Sequence, residues 1–97
     1  MEKIDHIAIV VTNIAEAVRW YTNKFDCKVT YEDKGWAELH FDNIKLALVL
    51  PQDHPAHIAF ESDDWGPDTP TKHRDGSESV YDHDTFGNII EYIKYGR

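Results

Sequence analysis

Basic residues are scarce in this chain: 10 lysines and arginines stand against 18 aspartates and glutamates, giving a formal charge of −8. Phosphate backbones and anionic bilayers are bound through basic surface, so neither nucleic acid nor a membrane is an expected partner. Cysteine occurs once, as Cys27, which excludes an internal disulfide and suits a reducing compartment. No apolar run approaches the ~20 residues needed to span a bilayer. The opening Met-Glu-Lys-Ile-Asp carries no apolar signal segment, so a cytoplasmic location is expected. With 97 residues, 41% of them apolar, a single soluble domain over 1–97 is expected. The partner left by these exclusions is a small molecule.

What is present falls into two halves, about 3–50 and 55–95. Ile4–Val11 is rich in β-branched residues and reads as a strand. Asn13, with Glu16 three positions on, forms a capping-box pattern. Ile14, Ala17, Val18, Tyr21 and Phe25 then follow helical spacing, which predicts an amphipathic helix ending near Phe25. Strands are expected at Lys28–Asp33, Trp36–Phe41 and Ile44–Leu50, joined by the turn pairs Lys34-Gly35 and Asp42-Asn43. The second half restarts with Ala56–Glu61, which echoes Asp5–Val10 with a histidine again at the second position. Ser62–Ser77 holds Gly66, Pro67, Pro70 and Gly76, so a loop replaces a full helix there, with one short edge strand near Thr71–His73. Glu78–Asp84 and Asn88–Tyr95 close the chain around Thr85-Phe86-Gly87.

His6, His57 and Glu91 stand out from this pattern. Two imidazoles and a carboxylate on three strands suit three adjacent corners around a divalent ion such as Mn²⁺, Fe²⁺ or Ni²⁺, if the fold brings them together. A lone strand histidine is more often a core residue; the matching place of these two in the repeat argues for ligands. Glu91 shares a strand face with Ile89, Ile93 and Tyr95, and an unpaired carboxylate there is costly. Alternation puts Trp36, Glu38 and His40, and Lys45, Ala47 and Val49, on the faces turned from the helix. His54, His73 and His83 are not expected to be ligands, and Trp65 reads as a hydrophobic plug.

DHIAIVVTNIAEAVRWYTNKFDCKV, HPAHIAFE and SVYDHDTFGNIIEYIKY together resemble the vicinal oxygen chelate superfamily of glyoxalases, bleomycin-resistance proteins, thiol transferases and extradiol dioxygenases. The D-x-F-G-N-x-x-E run from Asp84 to Glu91 is the most specific part. The resemblance implies an α+β fold of two βαβββ-type modules forming a curled mixed-sheet cup, the second module lacking its full helix. It places the metal ligands at His6, His57 and Glu91, and Tyr81 where a tyrosine bonds a substrate oxygen. The family's frequent fourth ligand falls on Ala47, which cannot coordinate; Asp26 and Thr85 replace a usual glycine and proline.

The function implied is a divalent-metal enzyme of the lyase, isomerase or dioxygenase kind, acting on a small oxygen-bearing substrate. Tyr81 would orient the substrate, with Glu38 or His40 as the proton-transferring base. Mn, Fe, Ni or Co is expected ahead of Zn, because no thiolate is at hand. The rival is a non-catalytic small-molecule or antibiotic-binding protein of the bleomycin-resistance type, whose members usually lack the ligands; metal analysis separates the two. A third reading is a decayed structural relative. A homodimer is expected, because the missing helix would uncover Ala56, Ile58 and Phe60.

Overall fold

The structure, a computed structural model, describes residues 1–62, 64–65, 67–73 and 75–96. Strand β1 (Lys3–Val10) leads into helix α1 (Ile14–Lys24), then β2 (Lys28–Glu32), β3 (Trp36–His40) and β4 (Lys45–Val49). The second half is β5 (His57–Glu61), β6 (Thr71–Lys72), β7 (Glu78–His83) and β8 (Ile89–Lys94). Among the described residues of 62–77 there is no helix, and the short edge strand falls at Thr71–Lys72 as expected; Gly66 lies outside the described residues. No helix among the described residues is long and apolar enough to cross a membrane.

Local chemistry explains the first half. Asn13 accepts the Glu16 N–H through its side chain at 2.9 Å, and the helix ends where Phe25 turns extended. Asp33 N–H bonds the Trp36 carbonyl and Phe41 N–H the Ile44 carbonyl, both at 3.0 Å, closing the two hairpins at the expected pairs. Helix α1 lays Ile14 and Val18 on Ala37, Leu39 and Leu48. Leu39 and Leu48 are fully buried, and truncating either to alanine removes about 2–5 kcal/mol.

The eight strands form one curled, open mixed sheet in the order β2-β3-β4-β1-β5-β8-β7-β6. β1 runs parallel to β4, and β5 parallel to β8; β1 and β5 meet antiparallel at the centre. The same arrangement therefore repeats on either side of a pseudo-twofold axis through the Ile7–Ile58 pair. The repeat seen in the sequence is this axis. It puts His6 opposite Ala59 and His57 opposite Ala8, so the two histidines sit diagonally across the central strand pair.

The last hairpin sets the remaining register. Gly87 adopts φ 86°, where a side chain would be strained. Asp84 accepts the N–H groups of Phe86 and Asn88 at 2.8 and 3.0 Å. The D-x-F-G-N motif is thus a turn, and the turn fixes Glu91 opposite Tyr81.

Candidate metal centre

On the face turned from α1, Nε2 of His6, Nε2 of His57 and Oε1 of Glu91 converge. The three separations are 3.4 Å between the imidazoles, 3.2 Å from His6 to Glu91 and 3.3 Å from His57 to Glu91. Donors shared by one ion at ~2.0–2.2 Å, at tetrahedral or octahedral angles, lie roughly 2.8–3.6 Å apart. All three edges fall in that range. Glu91 and His57 are buried, at 5% and 7% exposure, and His6 is half-buried.

The outer hydrogen bonds aim the lone pairs. His6 Nδ1 donates to Asp5 Oδ2 at 2.7 Å, and His57 Nδ1 donates to the Pro55 carbonyl at 2.7 Å. With each Nδ1 holding its hydrogen, each Nε2 is left as a donor toward the centre. Two imidazole lone pairs and a carboxylate oxygen at such distances repel unless a cation sits among them. In the metal-free protein that cation is a proton. Burial alone would depress His6, but Asp5 and Glu91 outweigh it and raise its pKa to about 9. Burial likewise works against the Glu91 anion, yet the neighbouring imidazoles of His57 and His6 and the Ser79 hydroxyl hold its carboxyl far below the usual range. The donor set fits a divalent ion.

The other predicted residues fall on the same face. Tyr81 stands opposite Glu91, its ring edge-on to His57 at 5.1 Å, and its hydroxyl bonds His54 Nδ1 at 3.0 Å. Burial and the Glu91 charge push its phenol above the ordinary range, so it stays a neutral donor. Glu38 pairs with Ala47, which pairs with Ala8, so Glu38 lies on the first module's wall. Its Oε1 accepts from Thr30 at 2.9 Å and contacts His40 Nε2 at 3.0 Å. His40 and Lys45 are paired beside it, in the cross-strand row that contains His6.

The pseudo-twofold axis orders these positions. Ala47 opposes Ala8 as Glu91 opposes Ala59, so Ala47 is the mate of Glu91. Glu38 opposes Ala47 as Tyr81 opposes Glu91, so Glu38 and Tyr81 are mates on opposing walls.

Several supporting residues escaped the sequence reading. His54 holds the Tyr81 hydroxyl, and His73 reaches the Glu91 partner Ser79 at 2.7 Å. Neither belongs to the His6–His57–Glu91 cluster. Asp5 and Tyr95 surround His6; the only advance signals were Asp5 beside a candidate ligand and Tyr95 on the Glu91 face. Trp65 is half-buried.

The sequence model of the Glyoxalase/Bleomycin resistance protein/Dioxygenase superfamily matches residues 3–71. A search of curated protein sequences returns no match. Among solved structures, a methylmalonyl-CoA epimerase in complex with methylmalonyl-CoA and NH4+ superposes with a TM-score of 0.79 at 19% identity, over 99% of this chain and 96% of that one. The methylmalonyl-CoA epimerase from Mycobacterium tuberculosis gives 0.71 at 16% identity, over 97% and 88%. Lactoylglutathione lyase from Agrobacterium tumefaciens gives 0.51 at 20% identity, over 95% and 92%. At these identities the likeness is one of fold, and it extends beyond the segment the family model matches. The sequence match itself spans most of the chain, which belongs to the glyoxalase/bleomycin resistance protein/dioxygenase superfamily.

Proposed function

We propose that this protein is a divalent-metal-dependent isomerase that moves a proton at the carbon next to a carbonyl, with His6, His57 and Glu91 as ligands. The observation that carries this reading is the convergence of three lone-pair donors within 3.4 Å, both histidines held by their far nitrogens. A divalent ion there would supply Lewis-acid stabilisation of negative charge on two substrate oxygens. Three protein ligands and no nearby thiolate favour Mn²⁺, Fe²⁺, Co²⁺ or Ni²⁺ over a closed zinc site.

Glu38 is the base. Its carboxylate takes the proton from carbon as the C–H pair moves toward the carbonyl oxygen; a proton delivered to the opposite face of the planar carbon completes the inversion, and Glu38 gives its own proton to solvent. His40 and Thr30 hold that carboxylate in place. Tyr81, neutral on the opposite wall, donates a hydrogen bond to a substrate oxygen. Ala8, Ala47 and Ala59 are small buried residues on the sheet face that carries the ligands.

The epimerase neighbours, with methylmalonyl-CoA or 2-nitronate-propionyl-CoA bound, support an acyl thioester with an acidic α-hydrogen as the substrate class. The chain would act as one domain of two modules, in the cytoplasm, as a homodimer. The test is solvent deuterium exchange at the α-carbon of methylmalonyl-CoA, followed by NMR with Mn²⁺- or Co²⁺-loaded protein. Glu38→Gln should slow exchange by roughly 10²–10⁴-fold while leaving metal bound. Tight metal binding without exchange, together with antibiotic binding, would replace this reading with the sequestering one.

A further inference from the structure

We propose that Asp5, Lys45 and Tyr95 form a clamp that fixes the ring of His6, with Asp5 as the positioning residue and the other two acting through it. The clamp's value for metal binding rests on the function proposed above; its existence does not.

A β-bulge is the starting point. The register between β1 and β5 shifts between Ile4 and His6, leaving Asp5 without an opposite partner. Strict alternation would send Asp5 to the α1 face. The bulge instead turns its carboxylate to the same side as its neighbour. There Oδ2 accepts from both His6 Nδ1 at 2.7 Å and the Tyr95 hydroxyl at 2.6 Å. Oδ1 pairs with Lys45 Nζ at 3.1 Å, and Lys45 also donates to the Tyr95 hydroxyl at 2.9 Å. The carboxylate is thus held from β4, from its own strand and from the residue after β8. Its side chain is only 7% exposed.

Two features mark this as a device for His6 rather than general packing. His57 meets the same need with a backbone carbonyl, Pro55, which is already rigid; His6 has only a side chain to bond, and that side chain must itself be fixed. Lys45 also balances Asp5, so the ring is oriented without an uncompensated second carboxylate close to Glu91. Lys45 is therefore engaged, and is not a free anchor for a substrate anion.

The experiment titrates Co²⁺ into wild-type and variant proteins shown to be folded, recording affinity and the visible Co²⁺ spectrum. In parallel, NMR follows the ring N–H of His6 in the metal-free proteins. Asp5→Ala should weaken Co²⁺ binding by roughly 10–100-fold, alter the spectrum and abolish the protected Nδ1–H signal. Asp5→Asn, which keeps an acceptor, should recover part of each. Lys45→Met and Tyr95→Phe should each weaken binding by about 2–10-fold in the wild-type background, and have no further effect once Asp5 is alanine. A merely structural role would lower thermal stability and leave Co²⁺ affinity and spectrum unchanged, and that result overturns the clamp. If Asp5→Ala does not fold, Tyr95→Phe carries the test. Should wild-type protein bind no Co²⁺ while the His6 signal still depends on Asp5, the clamp stands and the metal function fails.

Discussion

His6 and Glu91 come from opposite ends of the chain and meet at 3.2 Å, with His57 Nε2 3.3 Å from the same carboxylate oxygen. Every edge of this triangle joins different strands, so no local segment can bind an ion alone. Removing one corner should therefore remove the site. His57→Ala, His6→Ala and Glu91→Gln should each lose divalent metal after dialysis, measured by elemental analysis of tag-free protein. Glu91→Gln should also destabilise the metal-free fold, because it leaves the His6 imidazolium with one carboxylate instead of two. Metal content equal to wild type in two of the three variants would dismiss the assignment.

The metal-free centre also predicts a pH profile. His6 is raised from 6.5 to about 9, so the folded state holds its proton more tightly than the unfolded chain does. That stabilisation is complete below pH 6.5 and is lost as pH rises through 9, on the order of 3 kcal/mol. Glu91 is lowered, so its contribution is present above its ordinary value of 4.5 and is lost on acidification. EDTA-treated protein should be most stable between about pH 4.5 and 6.5, with melting temperature falling toward pH 9. Metal must displace the His6 proton, so the rise in melting temperature on adding Co²⁺ should grow over the same interval. A flat profile for metal-free protein from pH 6 to 9 would contradict this arrangement.

The sequence made the site legible mainly because it repeats. DHIAIV and AHIAFE become the two central strands, and their shared histidine position becomes the diagonal pair. The helix and all the main strands of the first half lie within a residue or two of their expected bounds, since Asn13 and the two hairpin turns mark them chemically. That the described residues of 62–77 hold no helix was readable from Pro67 and Pro70. What could not be read was the bulge at Asp5. Nothing in a run of alternating residues signals a register shift, because the shift exists only against the partner strand. For the same reason Tyr95, His54 and Ser79 had no visible roles: each acts through a contact across the sheet or from a loop onto it.

The sheet face opposite the metal centre bears on assembly. Ile4, Ile7 and Ile58 are 51%, 37% and 40% exposed on β1 and β5, where no second helix among the described residues covers them. Ala56 is exposed as expected, while Phe60 is half-buried. Covering what remains exposed of each isoleucine is worth about 0.6–1.5 kcal/mol, which a two-fold partner would supply. Sedimentation velocity at micromolar concentration should give a dimer, and Ile58→Glu should shift it to monomer. A wild-type monomer that still binds metal would show that the face is tolerated in water.

The pseudo-twofold axis makes one position in module one a test of the whole site. Ala47 opposes Ala8 as Glu91 opposes Ala59, so a glutamate at 47 would enter from the mirror wall. Ala47 is buried beside Ala8 and Val49 and opposite Glu38. Without metal, Ala47→Glu adds a second carboxylate next to Glu38 and near Glu91, so the metal-free variant should melt below wild type. With metal, the new carboxylate adds a fourth donor, and Co²⁺ affinity should rise by roughly tenfold or more. The stabilisation gained on metal addition should therefore exceed that of wild type, while α-proton exchange falls because one position open to substrate is taken. Calorimetric titration of the variant decides the matter. Unchanged Co²⁺ affinity in a folded Ala47→Glu protein would mean that the axis does not carry ligand geometry from one module to the other.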